Sequence, residues 1–226
     1  MKILSIDSST PQGCSVALLE NKNILSQYTL STEQPRSGHI LSMIDELLVD
    51  SGLQEVDGFV VTTGPGSFTG LRVGVSLIKG FVLATEKPFV GINTLEAVAA
   101  TVEPTPHPIC AILDAKKNEI YAALFKYRDG QLVRLSEDCV IPLKTLFDMI
   151  SEPTVFVGNG ADTFGESLAA GLGAKYLAHP KTNNHTTAAS SALLAYDLFD
   201  SKKSFDLNSL TINYIRKSEA EIKLGS

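Results

Sequence analysis

The chain has 226 residues, 44% hydrophobic and 19% charged, a balance usual for a soluble globular protein. Its net charge of -6 argues against a protein that grips nucleic acid alone, since such grip comes from lysine and arginine on phosphates. No apolar run is free of polar residues for the roughly 18 positions a membrane helix needs, and Met1-Lys2-Ile3-Leu4 runs straight into a short strand rather than a secretory signal, so the expected compartment is the cytoplasm, without membrane contact.

Residues 2–7, 14–19 and 23–29 read as three strands, joined by the turns Ser8-Ser9-Thr10-Pro11-Gln12-Gly13 and Glu20-Asn21-Lys22. Ile40, Leu41, Ile44, Leu47 and Leu48 mark one face of a helix over 38–51, and Gly52 stops it. A buried strand follows at 58–62. After it comes Thr62-Thr63-Gly64-Pro65-Gly66-Ser67-Phe68-Thr69-Gly70, and then a helix over 69–85 that is apolar around most of its circumference. A short strand at 89–92 and a helix at 94–101 close this part. The segment Glu103-Pro104-Thr105-Pro106-His107-Pro108 reads as a crossing.

The order then repeats. Ile109 to Leu113, Glu119 to Lys126 and Leu132 to Val140 read as strands. A helix at 142–150, a strand at 154–158, a helix at 160–170, a strand at 174–178 and a helix at 186–200 follow. Asp7 and Asp114 end the first strand of each half. The duplication lies in element order, not in residue identity.

The glycine-rich loop at 64–70 joins a strand to a helix, a layout able to aim backbone N–H groups at an anion. It has no Gly-Lys-Ser/Thr of a P-loop, and its glycines miss the dinucleotide register. Glycines four apart at 66, 70 and 74 also suit close approach of another element. A glycine inside a helix costs about 1 kcal/mol relative to alanine, so two of them imply a packing need. Anion capture and packing both stand as readings of this loop. Val157-Gly158-Asn159-Gly160-Ala161 has a similar pair, an adenosine-binding turn or a strand-to-helix bend.

Other chemistries find little support. Cys14, Cys110 and Cys139 are odd in number and far apart, which suits buried packing rather than disulfides or a metal site. His39, His107, His179 and His185 form no ligand spacing with one another. Ser67 lacks the G-x-S-x-G elbow of a hydrolase.

Four ordered motifs carry a resemblance. Thr63 to Gly80 resembles the signature of the TsaB (YeaZ) family, bacterial partners of the TsaD enzyme in making threonylcarbamoyladenosine in tRNA. Ser5-Ile6-Asp7-Ser8-Ser9-Thr10 resembles that family's first strand and turn. Leu113 to Tyr121 resembles its mid-chain motif, and Tyr214-Ile215-Arg216-Lys217-Ser218-Glu219-Ala220-Glu221 its C-terminal motif. Gly130 to Lys203 matches only loosely.

The resemblance implies a two-lobed α/β fold of the actin/hexokinase/Hsp70 (ASKHA) type with duplicated βββαβα units. The expected lobes are residues 1–103 and 104–226. In such folds the two strand-end turns hold nucleotide phosphates, which makes Asp7, Ser8, Ser9, Asp114 and Lys116 the possible nucleotide-cleft residues. Lys116, Lys117 and Asn118 are bulky where an active member would have small residues, and close the backbone route. TsaD binds metal through two histidines four apart on a helix. Thr94 and Val98 stand in the matching places, and valine ligates nothing.

The resemblance therefore implies a subunit with no catalytic residue, no metal site and no cofactor of its own, ATP/ADP and metal entering only with the complex. Its expected partners are a TsaD-like catalytic subunit, a TsaE-like ATPase and a second copy of itself, with tRNA met indirectly. TsaB proteins pair through the helices that match 38–51 and 69–85. This makes His39, Ile40, Met43, Gly70, Val73, Gly74 and Leu77 the expected partner-binding residues. A nucleotide-dependent phosphotransferase of the same fold, or a metallopeptidase-like enzyme, is the rival expectation.

Overall fold

The computed structural model describes residues 1–10, 13–31, 37–180, 188–201 and 206–216. Glu33, Arg36, His185, Lys202, Lys203 and the end of the C-terminal motif from 217 onward lie outside the described residues.

Two mixed sheets carry the chain. The first holds β1 (Lys2–Asp7), β2 (Gly13–Glu20), β3 (Asn23–Ser31), β4 (Gly58–Thr62) and β5 (Phe89–Ile92), in the order β3-β2-β1-β4-β5. The hairpin pairs β1–β2 and β2–β3 are antiparallel, and β1–β4 and β4–β5 are parallel. The second sheet holds β6 (Ile109–Asp114), β7 (Glu119–Arg128), β8 (Gln131–Arg134), β9 (Cys139–Pro142), β10 (Thr154–Val157) and β11 (Tyr176–Ala178). Its order is β11-β10-β6-β7-β8, which is the first sheet's order with β6 in the place of β1. The duplication expected from element order is thus a duplication of topology, and Asp7 and Asp114 end equivalent central strands.

The strand expected over Leu132 to Val140 is two strands. Both β8 and β9 pair with β7, but the ladder breaks between them. Leu135 and Ser136 both donate to the Leu124 carbonyl, so two residues oppose one, as in a bulge. The break lifts residues 135–138 out of the sheet.

Helices cover both faces of the first sheet. On one lie α1 (Ser37–Leu47) and α2 (Phe68–Thr85). Ile40, Ile44 and Leu47 of α1 share a cluster with Val75 and Ile78 of α2 and with Leu4, Ile6, Val16, Phe59 and Val61 beneath them. Alternation explains the other face: Ile3, Ala17, Leu19 and Val60 point away, toward α6 (Ala188–Ser201). Phe59, fully buried, fills the first cluster, where truncation of such a ring to alanine costs about 3–5 kcal/mol.

Two features cross the division of the chain. α3 (Thr94–Ala99) gives Ala97 to the first sheet's cluster and Leu95, Val98 and Ala99 to the second's. α6 packs on β1, β2, β4 and β5. The lobe drawn as 104–226 is corrected accordingly: after β11 the chain returns to the first sheet, because the alanines of α6 fit flat against its apolar face. α4 (Leu143–Met149) and α5 (Asn159–Leu172) cover one face of the second sheet.

Candidate partner-docking face and the filled strand-end turns

The two expected nucleotide turns are occupied by the protein itself. Asp7 is 2% exposed, and its Oδ1 accepts from Ser9 N at 2.9 Å and Thr62 Oγ1 at 2.7 Å. Ser8 Oγ donates to the Gly70 carbonyl at 2.8 Å, and Ser67 N donates to the Ser9 carbonyl at 2.6 Å. Ser67 also caps α2, its hydroxyl accepting from Gly70 N. A Cβ at Gly66 would overlap the Ser9 carbonyl, and one at Gly70 the Ser8 carbonyl. The glycine loop is therefore a packing device that lets the start of α2 lie on the turn. Asp7, Ser8 and Ser9, expected as possible nucleotide-cleft residues, are each 2% exposed or less, and Ser8 and Ser9 lie against the glycine loop and the start of α2.

The second turn is closed differently. Lys116, Lys117 and Asn118 take left-handed φ values of 64°, 56° and 61°, a conformation costly for residues with a Cβ. The Asp114 carboxylate accepts from Lys116 N at 2.8 Å and from Lys116 Nζ at 2.9 Å, so both of its oxygens are engaged by its own turn. Asp114 N donates to Asn159 Oδ1, and a Cβ at Gly158 would overlap the Ile112 carbonyl. The Gly158 turn is the bend that seats α5 on β6. Thr94 and Val98 are fully buried: Thr94 exchanges hydrogen bonds with the Gly64 backbone, and Val98 packs beneath Gly158. Among the described residues, no group of three or more His, Cys, Asp or Glu side chains gathers as a metal-ligand set.

Burial governs the thiols. It pushes Cys14 up to about 11, with the nearby Asp7 charge adding to it, and raises Cys110 and Cys139 as well. These thiols stay protonated and inert near neutral pH.

The partner-facing expectation divides by side of helix. Ile40 is 1% exposed, and Gly74 is buried against Ser8 Oγ and Val61. Within this chain Ile40, Gly70 and Gly74, expected to bind a partner, face its own sheet and turn. His39 is exposed, Met43 is half-buried beside Cys14, and Val73 and Leu77 are half-buried at the edge of the cluster. Only Leu71, Gly74, Val75 and Ile78 of the 18 residues of α2 are buried. Its outward side carries a hollow of about 430 Å³ lined by Phe68, Thr69, Arg72, Val73, Ser76 and Leu77. Leu83 continues that side, 73% exposed, and Leu41 of α1 is 40% exposed.

α2 is long and apolar enough to cross a membrane on length and composition alone. It is also the crossover between the parallel neighbours β4 and β5, so both its ends are tied to one sheet. Spanning would require dismantling that sheet.

Sequence reasoning missed a clasp between the lobes. Asp138, in the break between β8 and β9, accepts from Arg134, from Asn93 Nδ2 and from Asn213 Nδ2 at 3.2 Å. Asn93 is the cap of α3, accepting from Glu96 N. Asn213 N donates to the Thr63 carbonyl, while Arg216 reaches the Ala115 carbonyl at 2.9 Å and Glu119 at 3.3 Å. Residues 213–216 thus bridge the carboxyl ends of β4 and β6. Replacing Asp138 with alanine removes the acceptor shared by three donors, although Arg134 keeps the Ser136 carbonyl and Glu96, and Asn213 is exposed to water. The expected cost is about 2 kcal/mol, read as a lowered urea midpoint with an unchanged m-value.

Two sheets of identical order, each flanked by helices and joined at the ends of equivalent strands, define the actin/hexokinase/Hsp70 class of fold. Residues 23–224 match the family model described as TsaD: tRNA N6-adenosine threonylcarbamoyltransferase. The Bacillus subtilis protein "tRNA threonylcarbamoyladenosine biosynthesis protein TsaB" is 28% identical over 99% of this chain and 97% of its own length. Its namesake in Escherichia coli is 33% identical over 64% of this chain and 63% of its own. The solved structure "YeaZ from Pseudomonas aeruginosa" superposes with a TM-score of 0.78 at 21% identity, covering 94% of this chain and 99% of that one. The chain belongs to the family this model describes and, within it, to the TsaB (YeaZ) proteins.

Proposed function

We propose that this chain is a non-catalytic subunit of the assembly that makes N6-threonylcarbamoyladenosine at position 37 of tRNA. It docks a TsaD-like catalytic subunit on the outward side of α2 and thereby activates it. The observation that carries this reading is α2 itself, an 18-residue apolar helix whose outer side is left open by the fold. A helix apolar nearly all round calls for cover on more than one side. The filled turns at Asp7 and Asp114 support a supporting role over phosphotransfer, since a phosphate would have to displace α2 or the Lys116 turn.

The same side of α2 serves a second copy when the catalytic subunit is absent. The chain's excess of acidic residues fits a protein that meets tRNA through the complex. ATP or ADP and metal belong to the complex, together with a TsaE-like ATPase, in the cytoplasm.

Reconstitution tests the reading. The chain, a TsaD-like subunit and a TsaE-like ATPase are combined with tRNA transcript and the threonylcarbamoyl donor, and modified nucleoside is counted after digestion. Product should form with all components, and the chain alone should give none. Product from the chain alone, or equal product from the mixture lacking it, would overturn the proposal.

A further inference from the structure

The motif Tyr214-Ile215-Arg216 meets α2 at an exposed arginine, Arg72. The Arg72 guanidinium carbon lies 3.8 Å from the centroid of the Phe68 ring. The Tyr214 ring packs on Phe68 with centroids 4.7 Å apart, and Arg72 Nε donates to the Tyr214 hydroxyl at 3.1 Å. Arg216, held by Ala115 and Glu119, fixes the segment that carries Tyr214. An exposed arginine ordinarily samples many rotamers; this one is held by a ring below and a hydroxyl at its edge. Its terminal nitrogens, Nη1 and Nη2, hydrogen-bond no described residue.

A planar fork with both tips uncommitted matches a carboxylate in bidentate fashion. The hollow beside it is apolar, with Phe68, Val73 and Leu77 in its wall. The other cation of α2, Lys79, is two turns away, roughly 10 Å along the axis, so a phosphate would find only one positive charge here. The acidic residues Asp45 and Glu46 belong to α1 and do not pair with Arg72.

We propose that Arg72, oriented by Phe68 and Tyr214, is a preorganised receptor for an aspartate or glutamate side chain of the TsaD-like subunit that covers α2. This inference rests on the docking reading and supplies the chemistry of the partner's side: a carboxylate next to an apolar side chain that enters the hollow. Preorganisation reduces the ordering cost of forming the ion pair.

Calorimetric titration of the full chain with a TsaD-like subunit tests it. Arg72→Gln should weaken association at least about tenfold, and Arg72→Lys should restore little, since an ammonium has no fork. Tyr214→Phe should give a smaller loss that disappears in the Arg72→Gln background, because it acts through Arg72. Unchanged association with Arg72→Gln, while Ser76→Arg abolishes it, would overturn the receptor and leave docking standing. If Ser76→Arg is also without effect, the docking reading is what fails. Sodium acetate titrated into the isolated labelled chain then decides the receptor. A saturable shift of the Arg72 Nε resonance, absent with sodium chloride and weakened in Tyr214→Phe, is expected. Equal behaviour in both salts would overturn it.

Discussion

Gly70→Ala will destabilise the protein, whereas the same change at Gly80 on the same helix will stabilise it. Helix propensity alone favours both by about 1 kcal/mol. At Gly80 nothing lies within 4 Å of the added Cβ, so most of that gain should appear, about 0.5–1 kcal/mol. At Gly70 the Cβ overlaps the Ser8 carbonyl, a backbone atom that has no rotamer to retreat into. The helix start must lift, which also breaks the Ser8 Oγ bond to the Gly70 carbonyl. Overpacking against backbone plus a lost, partly buried hydrogen bond costs about 3 kcal/mol, and exceeds the propensity gain. Urea unfolding of both variants checks the opposite signs. Equal stabilisation would mean that the loop does not rest on the turn.

Ser76→Arg should leave folding intact and cripple association. Ser76 is exposed in the wall of the α2 hollow, and arginine is a good helix former, so stability should move by no more than about 0.5 kcal/mol. In a docked complex the new side chain fills the hollow and brings a second charge next to Arg72. A cost of at least about 2 kcal/mol, roughly thirtyfold in Kd, is expected. Substitution at Gly74 would not make this test, because its Cβ would meet Ser8 Oγ and Val61 inside the protein. Sedimentation velocity with the TsaD-like subunit reads the effect, and a thermal melt verifies the fold. Wild-type association by a folded Ser76→Arg variant would remove this side of α2 from the interface.

The sheets were legible in the sequence because alternation and apolar runs report burial directly. Asp7 and Asp114 could be matched as strand ends for the same reason. The inward side of Gly70 and Gly74 was not legible: spacing of four says that two glycines share a helix face, not which neighbour meets it. The break between β8 and β9 was signalled by Ser136-Glu137-Asp138, residues disfavoured in strands, but the apolar residues on both sides made 132–140 read as one strand. Asp138 went unnoticed because its partners at 93, 134 and 213 come from three separate segments. The return of α6 to the first sheet was hidden too, since nothing in its alanines names the sheet they cover. Tyr214 and Arg216 stood out as a motif, but their roles needed Phe68, Arg72 and Ala115 brought beside them.

The most direct measurement is hydrogen exchange by mass spectrometry on the full chain, with and without a saturating TsaD-like subunit. Docking on α2 predicts that slowed exchange concentrates in peptides covering 68–85 and 209–216, with little change in β3 or α5. Protection confined to those other elements, with 68–85 exchanging as in the free chain, would contradict the account.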